Sequence, residues 1–372
     1  MNHIFYQTKT KYSNTGDVLI NHALIQALRP YGCVHANCSQ GIPEQFLSLL
    51  GLQEQERTYA KSEFAFFKEI LRCAREARKN GDGVYIFSGP GELSGGNPRM
   101  ALRNAALGFV FPVLRAVGVK VVRIGRSVGP ITRLMALSEW FRCLSLSHYF
   151  VRDTQSVQRC RKLGIRKAKL SADLSWIYDP QHPNRVNRTN VIMVNLRRSI
   201  YDHEVQDVFV EQTLFRCQEL LDELSKTVDA PLRVCVAYQT ADDRELSQQV
   251  YERLEKCYPT TFIDHQMRLD ELAECYGGVD FHISNRMHSL LAGYKYGSLP
   301  LALVDTDKHI KVAVTFTDCG LEELLFDIYR PIDSQRLMDL VVHRDQMMDK
   351  LFACEEEKSQ EIRETIRGIF AG

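Results

Sequence analysis

Short apolar runs alternate with amphipathic helical patterns along almost all of this 372-residue sequence. Runs such as "HIFYQT", "GVYIFSG" and "HYFVRD" have the length and residue types of buried strands. Segments such as "KSEFAFFKEILRCAREARKNG" repeat their apolar residues at helical spacing. Because strands that alternate with helices form parallel sheets with helices packed on them, the pattern predicts an α/β fold.

The alternation is interrupted once, at "IYDPQHPNRVNRTN", which has two prolines, three asparagines and no apolar periodicity. Such a composition is typical of a linker. A second alternating series follows, from "VIMVNLR" to "PLALV", and then a strongly charged amphipathic helix or helix pair. We therefore predict a first α/β domain at 1–178, a linker at 179–189, a second α/β domain at 190–330 and a C-terminal helical segment at 331–372.

The composition argues against several classes of function. The 47 basic and 46 acidic residues give a net charge of +1, so nucleic acid is not an expected partner. The eleven cysteines include no CxxC pair, which argues against a disulfide framework or zinc site and favours reduced thiols in a cytoplasm. The N-terminus lacks the apolar core of a signal peptide.

The longest apolar tract is "ALGFVFPVLRAVGVKVV", which Pro112 and Arg115 interrupt. It is too short and too interrupted for a membrane-spanning helix. It predicts a buried helix, kinked or ended by Pro112, that runs into a strand. Contact with a membrane surface is the alternative interpretation.

Loops that follow strands are where a site is expected, because ligands bind at the carboxyl ends of strands in open α/β sheets. In "SNTGDVLI", Gly16 permits a tight turn and Asp17 can cap the following helix. In "SGPGELSGGN", four glycines favour close approach of a ligand, with a flexible surface loop as the alternative. In "RIGRSVGPI", Arg126 at the strand end points into a cleft or forms a surface salt bridge.

The loop "FVRDTQS" places Arg152 next to a predicted helix N-terminus that Asp153 or Thr154 can cap. A phosphate or carboxylate would be stabilised there. A structural pair between an arginine and an aspartate is the alternative.

The stretch "SNRMHSLLAG" has an arginine and a histidine two residues apart, where a buried strand meets a helix. Ser284 or Asn285 can cap that helix, and Arg286 with the free backbone N–H groups then forms an anion site. His288 lies in the first turn, and histidine is the side chain most often used to transfer protons at neutral pH, so it is a candidate general acid. An ordinary packed or solvated histidine is the alternative.

The ordered set of "NTGDVLI", "SGPGEL", "IGRSVGPI", "VRDTQSVQRCRKLGI", "ADLSW" and "ISNRMHSLLAGYKYGSLPLAL" resembles the polysaccharide pyruvyl transferase family, over roughly Tyr12 to Leu321. The resemblance implies two Rossmann-like domains with parallel sheets, similar to GT-B glycosyltransferases, with the active site in the interdomain cleft. Such enzymes move pyruvate from phosphoenolpyruvate onto two hydroxyls of one sugar and form a cyclic ketal. The resemblance implies neither a cofactor nor a metal.

On this resemblance, His288 matches the proposed general acid, while Arg152 and Arg286, with Ser284 and Asn285, match the phosphoenolpyruvate site. A phosphate and a carboxylate on one donor molecule suit two arginines. The residues predicted to line the cleft or to meet the acceptor are Asn14, Gly16, Asp17, Gly89, Gly91, Glu92, Arg126, Gly129, Asp173 and Lys308.

Three blocks depart from the family pattern. The glycine-rich block reads Ser-Gly-Pro-Gly-Glu, Arg126 replaces an uncharged residue that is often glutamine, and the aspartate block continues as "LSW". All three departures concern the acceptor more than the donor. For Arg126 the hypothesis is that it meets an extra anionic group on the acceptor, such as a uronate or a lipid diphosphate. A lipid-linked acceptor would require transient, peripheral membrane contact, for which "LGFVFPVL" is the candidate segment.

Two other functions stay open on the sequence alone. One is a GT-B-type glycosyltransferase that uses a nucleotide sugar, for which Glu322 and Glu323 are the nearest candidate ribose ligands. The other is a catalytically silent assembly protein that binds partners through its charged C-terminal helix.

Overall fold

The computed structural model describes residues 1–180, 189–198, 203–228 and 230–371. By their contacts, the residues of the chain form two compact units. The first unit consists of Met1–Tyr12, Asp17–Tyr178 and Glu357–Gly372, and the second of Ser13–Gly16 and Asp179–Glu356. Most of the predicted linker at 179–189 lies outside the described residues.

The first unit is built on one parallel sheet of eight strands. The strands are β1 (Asn2–Gln7), β2 (Gly32–Asn37), β3 (Arg57–Thr58), β4 (Val84–Ser88), β5 (Gly91–Gly95), β6 (Lys120–Ile131), β7 (His148–Val151) and β8 (Ala168–Leu170). Their order is β3-β2-β1-β4-β6-β7-β8, and β5 pairs with β6 outside this path. The helices between them are α1 (Thr15–Leu28), α2 (Glu44–Leu49), α3 (Glu63–Asn80), α4 (Pro98–Ala116), α5 (Arg133–Cys143) and α6 (Thr154–Lys162).

The core of this sheet follows from its apolar strand sequences. Strand β4 is buried at every residue and lies between β1 and β6. Helix α3 packs Phe66, Phe67 and Ile70 into the same cluster as Ile86 of β4. Burial of each side chain of this kind contributes about 1.5–3 kcal/mol. The strand ends that carry the predicted site residues are therefore held on a packed core.

The second unit is built on a six-stranded sheet, also with parallel pairing throughout. The strands are β9 (Val191–Asn195), β10 (Arg233–Tyr238), β11 (Thr260–Gln266), β12 (Val279–Ser284), β13 (Leu299–Val304) and β14 (Leu325–Asp327), in the order β11-β10-β9-β12-β13-β14. The helices are α7 (His203–Ser225), α8 (Arg244–Leu254), α9 (Leu272–Tyr276), α10 (Met287–Lys295), α11 (Ile310–Thr317) and α12 (Ser334–Val342). Two parallel-sheet α/β units confirm the predicted fold class.

The charged C-terminal segment is a helix pair, because α13 (Arg344–Ala371) follows α12. It was predicted as a separate segment at 331–372, but its contacts divide it between the two units at Glu356 and Glu357. In the first unit, the ring centroid of Phe370 lies 4.6 Å from that of Tyr31 and 4.5 Å from that of Tyr85. The last turns of α13 therefore complete the packing of the first unit.

Two predicted loops of the first unit are wrong, and one of the two alternatives predicted for Pro112 is excluded. Helix α4 does not end at Pro112 but continues to Ala116. Pro112 itself lies on an exposed face of the helix, so its ring is accommodated without displacing core side chains. The expected glycine loop at "GELSG" is instead strand β5, and the expected loop at "SVGPI" is the second half of β6.

The cysteine prediction needs one correction. Cys319 and Cys354 form a disulfide in this structure, and the other nine cysteines are free. Both bonded cysteines lie in the second unit. In the described part of the chain, no helix combines the length and apolarity required to cross a membrane.

Candidate active site

The turn from β12 to α10 places Arg286 at a strand end of the second unit. Ser284 is fully buried; its hydroxyl donates to the carbonyl of Asn195 and accepts from the backbone N–H of Arg286 at 3.0 Å. The side chain of Asn285 exchanges hydrogen bonds with the backbone of Arg197, at 2.6 and 3.2 Å. These contacts fix the loop after β12 to the loop after the neighbouring strand β9.

Helix α10 begins at Met287, and its N-cap residue Arg286 makes no side-chain capping bond. The prediction that Ser284 or Asn285 caps this helix is therefore wrong. Both residues precede the N-cap, because the strand ends at Ser284, and their side chains hold the loop between strand and helix. Their contact with a ligand stays a prediction.

The guanidinium of Arg286 is held by two residues that follow β10. It forms an ion pair with Asp243 and donates to the hydroxyl of Thr240 at 3.0 Å. Its Nε is buried and has no acceptor among the described residues. Burial lowers the pKa of Arg286, and the Asp243 carboxylate acts in the opposite direction. One N–H of this arginine therefore lacks the acceptor that a buried donor normally has.

Gly16 and His288, both predicted site residues, are in direct contact within the second unit. A Cβ at Gly16 would lie 2.5 Å from Nδ1 of His288, so a side chain would displace the imidazole. The loop that carries Gly16 is anchored by Thr15, whose hydroxyl donates to the carbonyl of Met267, and by Asn14, which accepts from the Gly16 N–H at 3.1 Å. Glycine is needed here for close approach of a catalytic candidate.

Asp17, in contrast, does not cap the helix as predicted. Helix α1 begins at Thr15, so Asp17 lies within its first turn. Its carboxylate accepts from the Thr10 hydroxyl at 2.9 Å and from the Lys11 N–H at 3.3 Å. Asp17 therefore ties the preceding loop of the first unit to the start of the helix.

Two residues near Arg286, His309 and Arg197, were not among the predicted site residues. Nδ1 of His309 accepts from the Asp305 N–H at 3.0 Å, while its Nε2 is buried and has no acceptor among the described residues. Burial and the charge of Arg197 lower the pKa of His309 to about 4. Arg197 also lowers the pKa of Arg286, so the three side chains share one electrostatic environment.

A sequence signal for both residues existed. Arg197 follows β9 and His309 follows β13, so each belongs to a strand-end loop of the same sheet. The predicted residue Lys308 lies in the second of these loops and is exposed, and its N–H donates to the side chain of Asp305 at 3.0 Å.

In the first unit, Arg152 lies next to the N-terminus of α6, as predicted. Asp153 is the N-cap and accepts from the Ser156 N–H at 2.6 Å. Arg152 donates through Nε to Ser127 at 2.6 Å and through Nη1 to Asp173 at 2.8 Å, and its side chain is 6% exposed. The structure therefore brings two predicted site residues, Arg152 and Asp173, together as a buried ion pair.

Arg126 is not at a strand end, because β6 continues to Ile131. Gly125 has φ of 74°, a backbone conformation that glycine adopts readily, and the β6–β7 register is irregular between Arg123 and Arg126. Arg126 donates to the carbonyl of Gly89 at 3.1 Å, and its buried Nε has no acceptor among the described residues.

Two further arginines lie near Arg126 in the interior of the first unit, with one carboxylate. Arg123 and Glu139 are both fully buried and form an ion pair. Arg142 donates to Asn104 at 2.9 Å, and Asn104 donates to Glu139 at 3.0 Å. Burial and the charge of Arg123 lower the pKa of Arg126 to about 10 and that of Arg142 to about 9. This arginine cluster (Arg123, Arg126, Arg142 and Glu139) holds three positive charges for one negative charge.

The remaining predicted residues of the first unit lie on β5, on β6 or, for Gly89, in the link between β4 and β5. Gly91 is paired with Arg126 in the β5–β6 register. Glu92 is exposed, and a Cβ at Gly129 would lie 3.3 Å from its carboxylate. Gly89, Gly91, Glu92 and Gly129 are thus brought together with Arg126 along one strand pair.

The two sheets define the class of protein. Solved structures that align with the chain are GT-B-like epimerases and glycosyltransferases, and they include a putative UDP-N-acetylglucosamine 2-epimerase from Listeria monocytogenes (TM-score 0.52, 8% identity, covering 94% of this chain and 90% of that one). UDP-GlcNAc 2-epimerase from Methanocaldococcus jannaschii aligns with TM-score 0.52, 10% identity and 91% of each chain covered. A glycosyltransferase from Rickettsia africae aligns with TM-score 0.51, 10% identity, and 100% and 93% covered. At these identities the similarity establishes the GT-B-like fold alone.

The family follows from the sequence itself. The polysaccharide pyruvyl transferase family pattern matches residues 14–297, a range that includes the candidate site residues Gly16, Arg126, Arg152, Arg286 and His288. The chain belongs to this family, so it is assigned to a family of transferase enzymes. No curated protein gives a significant match.

Proposed function

We propose that this protein transfers pyruvate from phosphoenolpyruvate to a sugar of a surface or exopolysaccharide precursor and forms a cyclic pyruvate ketal. The observation that carries the proposal is in the second unit, where Arg286 and His309 each hold a buried N–H donor without an acceptor among the described residues. A buried donor left without an acceptor costs about 1–3 kcal/mol. A bound anion would remove that cost.

The tautomer of His309 supports the same interpretation. Because Nδ1 accepts from the Asp305 N–H, the proton of the neutral ring lies on Nε2. With its pKa lowered to about 4, the ring is neutral at pH 7 and donates one N–H. Arg286, Arg197 and His309 together would bind the phosphate or carboxylate of phosphoenolpyruvate, and Arg152 of the first unit is a further proposed ligand of this donor.

The proposed reaction assigns His288 a proton transfer. His288 gives a proton to the methylene carbon, which becomes the methyl group, and C2 becomes oxocarbenium-like. A sugar hydroxyl bonds to C2, and the proton of that hydroxyl returns to His288. The bond between C2 and the phosphate oxygen breaks, a second hydroxyl of the same sugar bonds to C2, and its proton leaves with inorganic phosphate. The contact with Gly16 would hold the imidazole in place during these steps.

Arg126 is proposed to bind an anionic group of the acceptor. Its guanidinium has a backbone carbonyl as partner, and it belongs to the arginine cluster, in which arginines outnumber carboxylates. A uronate carboxylate or a lipid diphosphate would supply negative charge there. Lys308, Asn14, Asp17 and Glu92 are proposed to contribute to substrate contacts at the strand ends.

Calorimetric titration with phosphoenolpyruvate tests the donor proposal directly. We expect micromolar-range binding (about 10⁻⁶ M), lost in Arg286→Ala and weakened in His309→Asn. The matched control is Arg244→Ala, because Arg244 is an exposed arginine of the same unit that pairs with Asp264. UDP-N-acetylglucosamine is titrated in parallel. Binding of the nucleotide sugar without binding of phosphoenolpyruvate would replace the proposal with a glycosyltransferase function.

Product analysis tests the reaction. Incubation with phosphoenolpyruvate and candidate acceptor glycans is expected to release phosphate and to add one pyruvate, minus water, to the glycan mass. His288→Asn is expected to bind phosphoenolpyruvate but to release no phosphate. A His288→Asn variant with full turnover would remove this residue from the mechanism.

A further inference from the structure

Helix α4 has an apolar stripe on its exposed face as well as on its buried face. Leu102, Phe109 and Val113 are all exposed, and Ala106 lies between them at helical spacing. Phe109, an aromatic residue, has 70% of its surface exposed. Large apolar residues scattered singly on a surface are ordinary, but a stripe along one helix face is not.

Helix α5 carries a second stripe beside the first. Leu134, Leu137, Trp140 and Leu144 are exposed and recur every three or four residues, the last of them just past the helix end. The rings of Phe109 on α4 and Phe141 on α5 are 5.0 Å apart, edge to face, so the stripes adjoin. We refer to Leu102, Phe109, Val113, Leu134, Leu137, Trp140 and Leu144 as the α4–α5 face.

The segment that carries this face is strongly basic, although the chain as a whole has a net charge of +1, and three of its cations, Arg123, Arg142 and Arg152, are buried and lie away from the surface. Residues 98–170 include fifteen lysines and arginines but two acidic residues, a formal charge of +13. The acidic residues are Glu139, which is buried, and Asp153, which caps α6. The near-neutral total therefore conceals a large separation of charge along the chain.

Several of these cations border the α4–α5 face. Arg99, Arg103 and Arg133 are exposed on the same two helices. The ammonium of Lys167 donates to the carbonyl of Leu144 at 3.0 Å. A Cβ on Gly164 would touch the Trp140 ring at 3.7 Å, so the loop that leads to Arg166 lies against it. The apolar face thus has lysine and arginine side chains around it.

We infer that the α4–α5 face binds an anionic lipid bilayer, with its apolar side chains in the interfacial region and the surrounding cations on the lipid phosphates. Exposed Leu, Phe and Trp side chains gain from insertion below the headgroups, and nearby lysines and arginines are attracted by anionic lipids. Nucleic acid would use the cations but not the apolar stripes, and a second positively charged copy of this face would be repelled.

The two tryptophans of the chain provide a direct measurement. Trp140 lies on the α4–α5 face with 41% of its surface exposed, whereas Trp176 is buried at 2%. On addition of phosphatidylcholine vesicles with about one third phosphatidylglycerol, we expect a blue shift and quenching by brominated lipid tails. Trp140→Phe should abolish both signals, since Trp176 cannot reach the lipid.

Vesicle co-sedimentation separates the apolar and ionic contributions. The double variant Phe109→Ser, Leu137→Ser should bind anionic vesicles at least about tenfold more weakly. The matched control is Phe215→Ser, Val342→Ser, which removes exposed apolar side chains of the second unit. Binding should also fall with rising salt and be weak on pure phosphatidylcholine.

Three results would overturn the inference: equal vesicle binding by both double variants, lipid quenching that persists in Trp140→Phe, or no vesicle binding together with tight binding of duplex DNA. None of these measurements uses phosphoenolpyruvate or a sugar. The outcome is therefore independent of the proposed enzymatic function.

Discussion

The strand ends of the second unit and the interior of the first unit hold arginines in opposite ways. Arg286 is paired with Asp243 and bonded to Thr240. In the arginine cluster of the first unit, Arg123, Arg126 and Arg142 share the single carboxylate of Glu139. The carboxylate of an ion pair fixes the position of the arginine but also neutralises its positive charge. The cluster instead holds more positive than negative charge.

The largest expected effect comes from removal of the carboxylate of the cluster. Glu139→Gln would leave three arginines in the interior with no counter-charge, so we expect a loss of about 3–5 kcal/mol in the free energy of unfolding. Burial opposes ionisation of Glu139, yet the charges of Arg123 and Arg142 lower its pKa to about 2, so it is charged at pH 7. Urea unfolding monitored by tryptophan fluorescence measures the change.

The control for this prediction is the double variant Glu139→Gln, Arg123→Met. It removes one cation as well, and should recover part of the lost stability. A Glu139→Gln variant as stable as the wild type would show that another group already compensates the charge of the cluster. The difference drawn here between the arginines of the two units would then be wrong.

The next largest effect is expected at the paired arginine. Arg286→Ala should weaken phosphoenolpyruvate binding by at least about 100-fold, or about 2.7 kcal/mol. Asp243→Asn leaves Arg286 in place and removes the competing carboxylate, so binding should be retained or become tighter. If Asp243→Asn weakens binding as much as Arg286→Ala does, the ion pair itself is required and the proposed competition is wrong. Calorimetry measures both variants.

The third prediction is that acid removes about 2 kcal/mol of stability through His282. Burial lowers the pKa of His282, in β12 of the second unit, to about 3. Because the unfolded-state pKa is about 6.5, the unfolded chain binds the proton first, and stability falls as the pH drops below 6.5. The contribution of Glu139 in the first unit is lost only below about pH 4.5, where a glutamate of the unfolded chain takes up its proton.

The measurement is the free energy of unfolding of wild type and His282→Asn at pH 7 and pH 5. Of the wild-type loss between these values, about 2 kcal/mol should be absent in the variant. Equal losses in the two proteins would mean that His282 is not held neutral in the folded state.

The smallest expected effect concerns Arg126. Arg126→Gln should raise the KM for an anionic acceptor by about tenfold, or about 1.4 kcal/mol, and should leave phosphoenolpyruvate affinity unchanged. Arg126→Lys keeps the charge and should recover most of the loss. An unchanged KM in Arg126→Gln would exclude an acceptor contact at this position.

The sequence predicted most of what depends on local pattern. Alternating apolar runs and helical stripes predicted both parallel sheets, and the strand-end rule located Arg286, His288 and the Gly16 loop. The arginine cluster could not be predicted, because Arg123 and Glu139 are single charges on different elements that only the folded packing brings together. Phe109 and Val113 of the α4–α5 face belong to "LGFVFPVL", the candidate segment for membrane contact, but only the folded structure shows that the apolar residues of α5 lie beside them.

The return of the chain to the first unit has a consequence for how the protein is made on the ribosome. The sheet strands of this unit are all translated by residue 170, but the ring of Phe370 that packs on Tyr31 and Tyr85 is translated two hundred residues later. During that interval Tyr31 and Tyr85 of the nascent chain lack the contact with the Phe370 ring. The packing of the first unit is therefore complete only after the last turn of α13 has been translated, and a chain that ends before Phe370 would leave Tyr31 and Tyr85 without this ring.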